Sequence, residues 1–390
     1  NSGARPDTPD NVGGERKAAS CNVLNFFSTI DVPGAGSGPN NLDPRGADNA
    51  AELTRQTDKL VEAVLPIDAD GLGLQEIENG GFGEGSAIAV LVDALHAVQG
   101  AGAYAFIDPT EDAGFIGTDA ISTGIIYKPG VLQPIASDFL VFEEASAATT
   151  FDLAEPLNEV SSRDVGDFQR SRPAVAATFE EIGTGEQFTV VSNHFKSKGD
   201  SNLEDVARAA QAHVDGGGTT VTQAQIDALL ADPNYDQGDG QGFWNKARED
   251  ASIELKDWLE SGTYADGAVA DPDYLILGDL NAYAKEDPTQ VFSDDPGYVD
   301  LIDQFIGQEN AYSFVFDGER GSLDQALAST SFADQVTGTT EWHINADEPD
   351  LLNYDNSFKD DRFYDDNLFG ASDHDPVIVG FTLSDTLAFT

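Results

Sequence analysis

The chain has 390 residues, 40% of them hydrophobic and 23 of them Phe, which suits a sizeable core; by length it suggests two to three domains unless one layered α/β domain runs long. Seventy acidic against 20 basic residues give a formal net charge of −50; the aromatic content argues against disorder, which leaves calcium binding or a hydrated, salt-adapted surface, the favoured reading. The single cysteine, Cys21, excludes an intrachain disulfide and a cysteine-based zinc site, and no stretch approaches the roughly 20 apolar residues of a membrane span.

Residues 1–18 are polar and rich in Pro, Gly and Asp, and read as a linker or leader. With no initiator Met and no signal peptide, the chain reads as a processed one. One folded domain is expected over 19–384, with a tail at 385–390. Its first strand is Ser20–Phe27, where Asn22 and Asn25 interrupt an apolar run and a buried Asn needs partners. A loop at 31–49 leads to an amphipathic helix, Ala50–Leu65, with Leu53, Leu60, Val61 and Val64 on one face and Pro66 at its end.

Asp70–Asn79 alternates as a strand and brings Glu76 near its end. The preceding Asp-Ala-Asp-Gly fails as a calcium loop, because EF-hand spacing puts Leu72 at an oxygen-ligand position and Asn79 where a bidentate Glu belongs. Ser86–Val98 is a second amphipathic helix, and Tyr104–Ile107 with Thr123–Tyr127 form a strand pair. Residues 138–168 read as acidic and irregular. Phe168–Phe179 places Arg170 and Arg172 just before a strand, and the strand Gln187–His194 runs into a segment carrying Lys196 and Lys198. An insertion at about 200–243 follows, with helical patches at Leu203–Val214 and Gln223–Ala231 and a flexible run at Asn234–Gly242. The helix Trp244–Leu259 closes this half.

Tyr274–Leu277 is an apolar run suited to a strand buried on both faces. It stops at Gly278, and Asp279 and Asn281 then share one face at the strand end. A bare Asx turn is the competing explanation. Ala311–Phe316 is a strand, Ser322–Ala328 follows the turn DGERG, residues 329–370 read as irregular, and Ala371–Val379 enters as the last strand. Helices alternating with hairpin-joined strands point to a two-sheet α/β sandwich flanked by helices.

Polar residues recur at the strand ends: Asn22, Glu76, His194, Asp279 with Asn281, Asp324, and Asp373 with His374. Each alone has an ordinary explanation, as a solvated strand end, a turn residue or a satisfied core histidine. Only five histidines exist, and two fall inside Asn-His-Phe-Lys and Ser-Asp-His-Asp-Pro, which argues against coincidence. A hard cation such as magnesium takes one or two carboxylates plus water and phosphate; Glu76 supplies the most isolated carboxylate, with Asp373 and the Asn22 amide as companions. Asp324 can fix the tautomer of His374, and Asn281 and His194 suit phosphate oxygens. Lys128, Arg170, Arg172, Lys196, Lys198, Lys246 and Arg248 lie in or beside these stretches. They are expected to form a positive cleft in a negative body, with few phosphate contacts and hence a shallow salt dependence.

The stretches QEIE, NHFKSKG, GDLNAY, SLDQAL and SDHDPV, in this order, resemble the endonuclease/exonuclease/phosphatase superfamily. Within it the chain is similar to the secreted bacterial nucleases of the ExeM/NucH-like group, over nearly all of residues 20–383. The resemblance implies a metal at Glu76 helped by Asn22 and Asp373. It places Asp279 and His374 around the attacking water, with the base unassigned between them, Asn281 and His194 on phosphate oxygens, and Asp324 orienting a histidine. It further implies Mg2+ or Mn2+ as cofactor with structural Ca2+ as an additional candidate, DNA as substrate with RNA as a second candidate, 5′-phosphate and 3′-hydroxyl products, secretion, and a monomer that needs no membrane. Gln325 stands where relatives often carry His or Tyr, and the cysteine pairs that relatives often have around 199–243 are absent. The other readings are a phosphomonoesterase or lipid phosphodiesterase on the same fold, and an acidic calcium-binding surface protein with a degenerate site.

Overall fold

A computed structural model describes residues 5–383, apart from 111, 113, 167–169, 262, 268–272, 358, 361 and 363; the expected tail at 385–390 and the expected start of the strand region at Phe168 lie outside the described residues. In chain order the strands are β1 (Arg16–Phe26), β2 (Gly71–Glu78), β3 (Ala105–Phe106), β4 (Ile121–Tyr127), β5 (Leu132–Leu140), β6 (Arg172–Glu181), β7 (Gln187–His194), β8 (Tyr274–Asp279), β9 (Tyr298–Asp300), β10 (Phe314–Phe316), β11 (Glu319–Gly321), β12 (Asp324–Ser329), β13 (Val336–Glu341) and β14 (Val377–Phe381). They form two mixed six-stranded sheets, ordered β13-β14-β1-β2-β4-β3 and β5-β6-β7-β8-β12-β9, and a separate ribbon, β10-β11.

The sheets stack on a shared apolar core. Leu72, Leu74 and Ile125 from the first sheet belong to the same cluster as Val190, Leu275, Leu277 and Ala326 from the second. At one end of this core the filling turns polar: Ser20 donates to Gln75 at 3.0 Å, and Gln75 donates to Ser192 at 2.9 Å. This buried belt is fully paired, as buried polar groups must be, and it separates the apolar core from the strand ends that carry the candidate site.

Helices α1 (Ala50–Ile67) and α2 (Ala87–Gln99) pack with the first sheet, their amino ends capped by Asn49 and Ser86. Helix α3 (Ala145–Asn158) overturns the irregular reading of 138–168, as does β5 before it. The helical spacing of Ala147, Phe151, Ala154 and Leu157 was hidden among acidic neighbours. With α4 (Leu203–Asp215), α5 (Gln223–Leu230) and Trp244, α3 builds a small core of its own, so the insertion is a packed subdomain. Helix α6 (Asn245–Glu260) then covers the outer face of the second sheet through Ala251 and Leu255.

Two further expectations change. Residues 329–370 contain β13, whose run Val-Thr-Gly-Thr-Thr-Glu lacks an apolar signal but pairs with β14. The expected leader is structural where described. β1 begins at Arg16, Pro6 O accepts from Trp342 Nε1 at 3.2 Å, and Val12 O accepts from Thr337 Oγ1 at 2.8 Å. Among the described residues no helix is long and apolar enough to cross a membrane.

Candidate active site

Four neighbouring strands of the second sheet end in one transverse row. Arg172 on β6 is opposite His194 on β7, His194 is opposite Asp279 on β8, and Asp279 is opposite Asp324 on β12. Opposed residues project from the same face of a sheet. Two and four residues back from Asp279, that face supplies Leu277 and Leu275 to the core between the sheets. The row is thus the polar continuation of a core face. Gly278 is what lets β8 lie against β7 here: its φ is +120°, and a Cβ would stand 2.3 Å from the Asn193 carbonyl oxygen.

Asp279 is fixed from beyond the strand end. Asn281, with a left-handed φ of 48°, donates its backbone N–H to Asp279 Oδ1 at 2.7 Å and its amide to Asp279 Oδ2 at 3.0 Å and to the Phe195 carbonyl at 3.1 Å. The Asx-turn bond is therefore present and serves the site at the same time. His194 Nε2 stands 3.6 Å from Asp279 Oδ2 and 3.9 Å from Glu76 Oε1. Its Nδ1 is buried without a hydrogen-bond partner.

Glu76 arrives from the facing sheet. The pairing of β2 shifts register between Leu74 and Ile77, and Glu76 takes a φ of 61°. A bulge of this kind re-aims a side chain: Gln75 stays in the buried belt and Glu76 reaches the cleft. Its Oε2 accepts from the Asn25 N–H at 3.0 Å and the Asn25 amide at 2.8 Å. Asn25 was noted in sequence only as a buried polar residue needing partners, and Glu76 is that partner. Asn22 departs from the expected ligand role. Its Oδ1 accepts from the Leu24 N–H at 2.9 Å, and its buried amide faces the Glu76 carboxylate, whose pKa it lowers. It supports Glu76 from behind the cleft. The second carboxylate of QEIE, Glu78, is structural, accepting from Ser28, Thr29 and Ser37.

His374 closes the ring of residues. Its Nδ1 bonds Asp324 Oδ2 at 2.6 Å, its Nε2 lies 3.9 Å from Asp279 Oδ2, and the Phe314 ring sits 4.6 Å from its own. Ser313, absent from the sequence reading, donates to Asp324 Oδ2 at 2.6 Å and accepts from the backbone N–H of Leu323 and Asp324. Asp375 holds the backbone of His374 in place indirectly. Its Oδ1 accepts from Ile344, Asn345 and Ala346 N–H, and the Asn345 amide donates to the His374 carbonyl at 2.6 Å. Asp373 is exposed on the cleft lip beside it. Gln325, the departure from the family pattern, bonds the Ala282 and Ser322 carbonyls and plays no part in the cleft.

Electrostatics divide these groups. Burial, then the charge of Asp373, raises the Glu76 pKa. Burial pushes Asp279 up to about 7, opposed by His374. Burial also drives His194 well below its ordinary value, with Arg172 acting the same way. For His374, burial acts downward but is outweighed by Asp324 and Asp279, so its pKa lies well above the usual range. The two imidazoles are thus pushed in opposite directions, set by which neighbours each strand end supplies.

The expected positive cleft does not form. Arg248 is fully buried and donates to the Lys196, Phe243 and Gln241 carbonyls. Arg170 is buried beneath Trp244 and Phe151, 4.1 and 4.7 Å from their ring centroids. Burial lowers the Lys196 pKa strongly, and its Nζ bonds the Ser197 carbonyl and hydroxyl. These three stitch the root of the insertion to the second sheet. Lys246 pairs with Glu249 and Asp250 on its own helix, and Lys128 pairs with Asp68 at the far end of the first sheet. Of the expected set only Arg172 and Lys198 line the cleft, and Lys198 is paired with Glu286. Arg45, which the sequence did not single out, joins them. The cleft holds about 1000 Å³.

No family model and no curated protein matches the chain. Solved structures do. An endonuclease/exonuclease/phosphatase family protein from Bacteroides thetaiotaomicron aligns over 93% of this chain and 96% of its own, with a TM-score of 0.50 at 13% identity. A mannosyl-6-phosphatase from the same organism aligns over 95% of this chain and 100% of its own, again with a TM-score of 0.50 at 13% identity. At such identity the likeness speaks to fold: the chain has the endonuclease/exonuclease/phosphatase fold.

Proposed function

We propose that this chain, built on the endonuclease/exonuclease/phosphatase fold, is a divalent-metal-dependent nuclease that hydrolyses phosphodiester bonds of DNA and RNA without sequence specificity, leaving 5′-phosphate and 3′-hydroxyl ends. The observation that carries it is the transverse row Arg172–His194–Asp279–Asp324, met from the other sheet by Glu76 at 3.9 Å from His194 and from the last strand's entry by His374 at 3.9 Å from Asp279. Residues from both sheets, about 300 positions apart, thus surround one space open to solvent.

The oxygen donors fit a magnesium or manganese ion. Among the described residues no group of three or more His, Cys, Asp or Glu is arranged to hold a metal by protein side chains alone. Magnesium asks for less: one or two carboxylates, with water and substrate phosphate completing its shell. Glu76, held by Asn25, and Asp373, whose charge raises the Glu76 pKa, would supply them. When bound, the ion would polarise the scissile phosphate and offset its charge. The chain's own residues do the rest. Asn281 holds the Asp279 carboxylate still, and the Asp279–His374 pair takes the proton of the attacking water. His194 and Arg172, which line the cleft, donate to phosphate oxygens as charge develops on them.

The deciding assay offers plasmid, linear DNA, RNA, a lipid phosphodiester and a sugar phosphate monoester with magnesium, manganese, calcium or chelator. DNA cleavage that chelator stops, and that His374→Ala and Glu76→Ala each abolish while keeping the native melting temperature, is the expected result. Undiminished cleavage by both variants, or turnover of the monoester alone, removes the reading.

A further inference from the structure

The walls of the cleft differ in chemistry. On one flank Asp119 holds Arg172 at 3.0 Å and Arg45 at 2.9 Å, two guanidinium groups on a single carboxylate. The wall made by the insertion is acidic, with Asp200, Glu204 and Asp236 facing the same space. The third wall is aromatic. Phe314 and Phe316 lie two apart on β10, on one face of the strand, and both line the cleft with Tyr283 beside them.

The aromatic wall is a built feature. β10 and β11 are joined by Asp317 and Gly318, whose φ values of 50° and 83° make a tight two-residue turn. Tyr283 sits directly under the ribbon, since a Cβ on Gly321 would stand 2.4 Å from its ring. Ser313, at the ribbon's base, is bonded to Asp324. The ribbon and the Asp324–His374 pair therefore share an anchor. Phe314 packs on His374, while Phe316 stands about 7 Å further along the strand and is 64% exposed among the described residues, a large apolar face open to the cleft.

From these walls we infer that the cleft takes an unpaired strand, with its backbone along the Arg45–Arg172 flank and the base beside the scissile phosphate stacked on Phe316. This rests on the nuclease reading and names its substrate class. A ring can stack on Phe316 only if that base face is free, which pairing and stacking within a duplex prevent. A duplex would also bring a second polyanionic backbone against Asp200, Glu204 and Asp236. Stacking on aromatic side chains is tolerant of sequence and supplies binding where phosphate contacts are few.

The test compares kcat/KM with magnesium on a short single-stranded oligonucleotide, its duplex, and the same strand carrying abasic sites. Wild type favours the base-bearing single strand. Phe316→Ala lowers kcat/KM on it roughly 5- to 150-fold, Phe316→Tyr restores it, and the losses from Phe316→Ala and from base removal are not additive. Preference for duplex, or equal losses by Phe316→Ala on base-bearing and abasic strands, overturns this inference and leaves the nuclease reading standing. Failure to cleave any polynucleotide removes both. Loss of cleavage of a vesicle-borne phosphodiester in Phe316→Ala, with oligonucleotide turnover unchanged, would assign the ribbon to a lipid surface and overturn the inference.

Discussion

Two clusters of charge lie at the same end of the second sheet and behave in opposite ways. The Arg170–Lys196–Arg248 cluster is buried and bonded, with Arg248 alone donating to three carbonyls. The row from Arg172 to Asp324 is equally buried at His194, Asp279 and Asp324, yet it leaves one member loose: His194 has a partnerless Nδ1, and its Nε2 stands 3.6 Å from the Asp279 carboxylate. Burial alone does not separate a structural charge from a chemical one, and neither does an unmet bond, since Arg248 Nε lacks a partner as His194 Nδ1 does. What separates them is whether the side chain opens on the cleft, as Arg172, His194 and Asp279 do, or lies beneath it.

Substitutions that break the contrast rank by size. Asp324→Asn removes the charge that most raises the His374 pKa and keeps the shape, so kcat/KM on DNA should fall by about 10²–10⁴-fold, the usual worth of an acid–base group. Its stability should fall by only about 1–2 kcal/mol, from weakened bonds to Ser313 and His374; a much larger drop with kcat kept would mean that Asp324 belongs with the structural cluster. Arg248→Met does the reverse. Three buried carbonyls lose a charged donor, and the cost should be on the order of 3 kcal/mol in chemical denaturation, while the folded fraction keeps its kcat. A loss of kcat without loss of stability would place Arg248 in the chemistry after all.

Ser313→Ala sharpens the comparison, because this hydroxyl supports Asp324 from behind. A loss of about 1–2 kcal/mol in stability is expected from one hydrogen bond to a charged group. A several-fold fall in kcat should accompany it, with Ser313→Thr recovering both if the hydroxyl is the cause. The smallest effect belongs to Glu341. It accepts from Ser322 Oγ at 2.5 Å and Tyr312 N–H at 2.7 Å, and burial pushes its pKa up to about 7. The folded protein thus holds this proton more tightly than the unfolded chain, whose carboxyl titrates near 4.5. Stability from the protonated group is complete below pH 4.5 and lost as pH rises to about 7. The melting temperature of wild type relative to Glu341→Gln should decline across that window and level above it. A flat difference would show that Glu341 is ionised throughout.

Much of the site could be found in the sequence because strand ends are short, polar interruptions of apolar runs. Glu76, His194, Asp279 and Asp324 each terminate or open such a run; the first three line one cleft, and Asp324 lies behind it against His374. The roles that escaped notice were of two kinds. Ser313, just before β10, and Asn25, within β1 and noted only as a buried Asn, act through side-chain bonds to Asp324 and Glu76, and neither a period nor a motif marks a supporting role. Arg45 comes from a loop whose path only the folded chain sets. The failed positive cleft has the same origin: proximity in sequence to a motif says nothing about whether a side chain points at the cleft or under it.

The alternation of apolar and polar residues along the chain was enough to determine the two-sheet architecture, since a strand that hides one or both faces has few ways to do so. The same signal brought the titratable residues to strand ends. Only the tertiary structure decided what each of them is. The register of β6, β7, β8 and β12, and the bulge that turns Glu76 outward, set the neighbours of every charge. In a low-dielectric site those neighbours fix which way each imidazole is pushed, which guanidinium is bonded, and which carboxylate is left for a ligand.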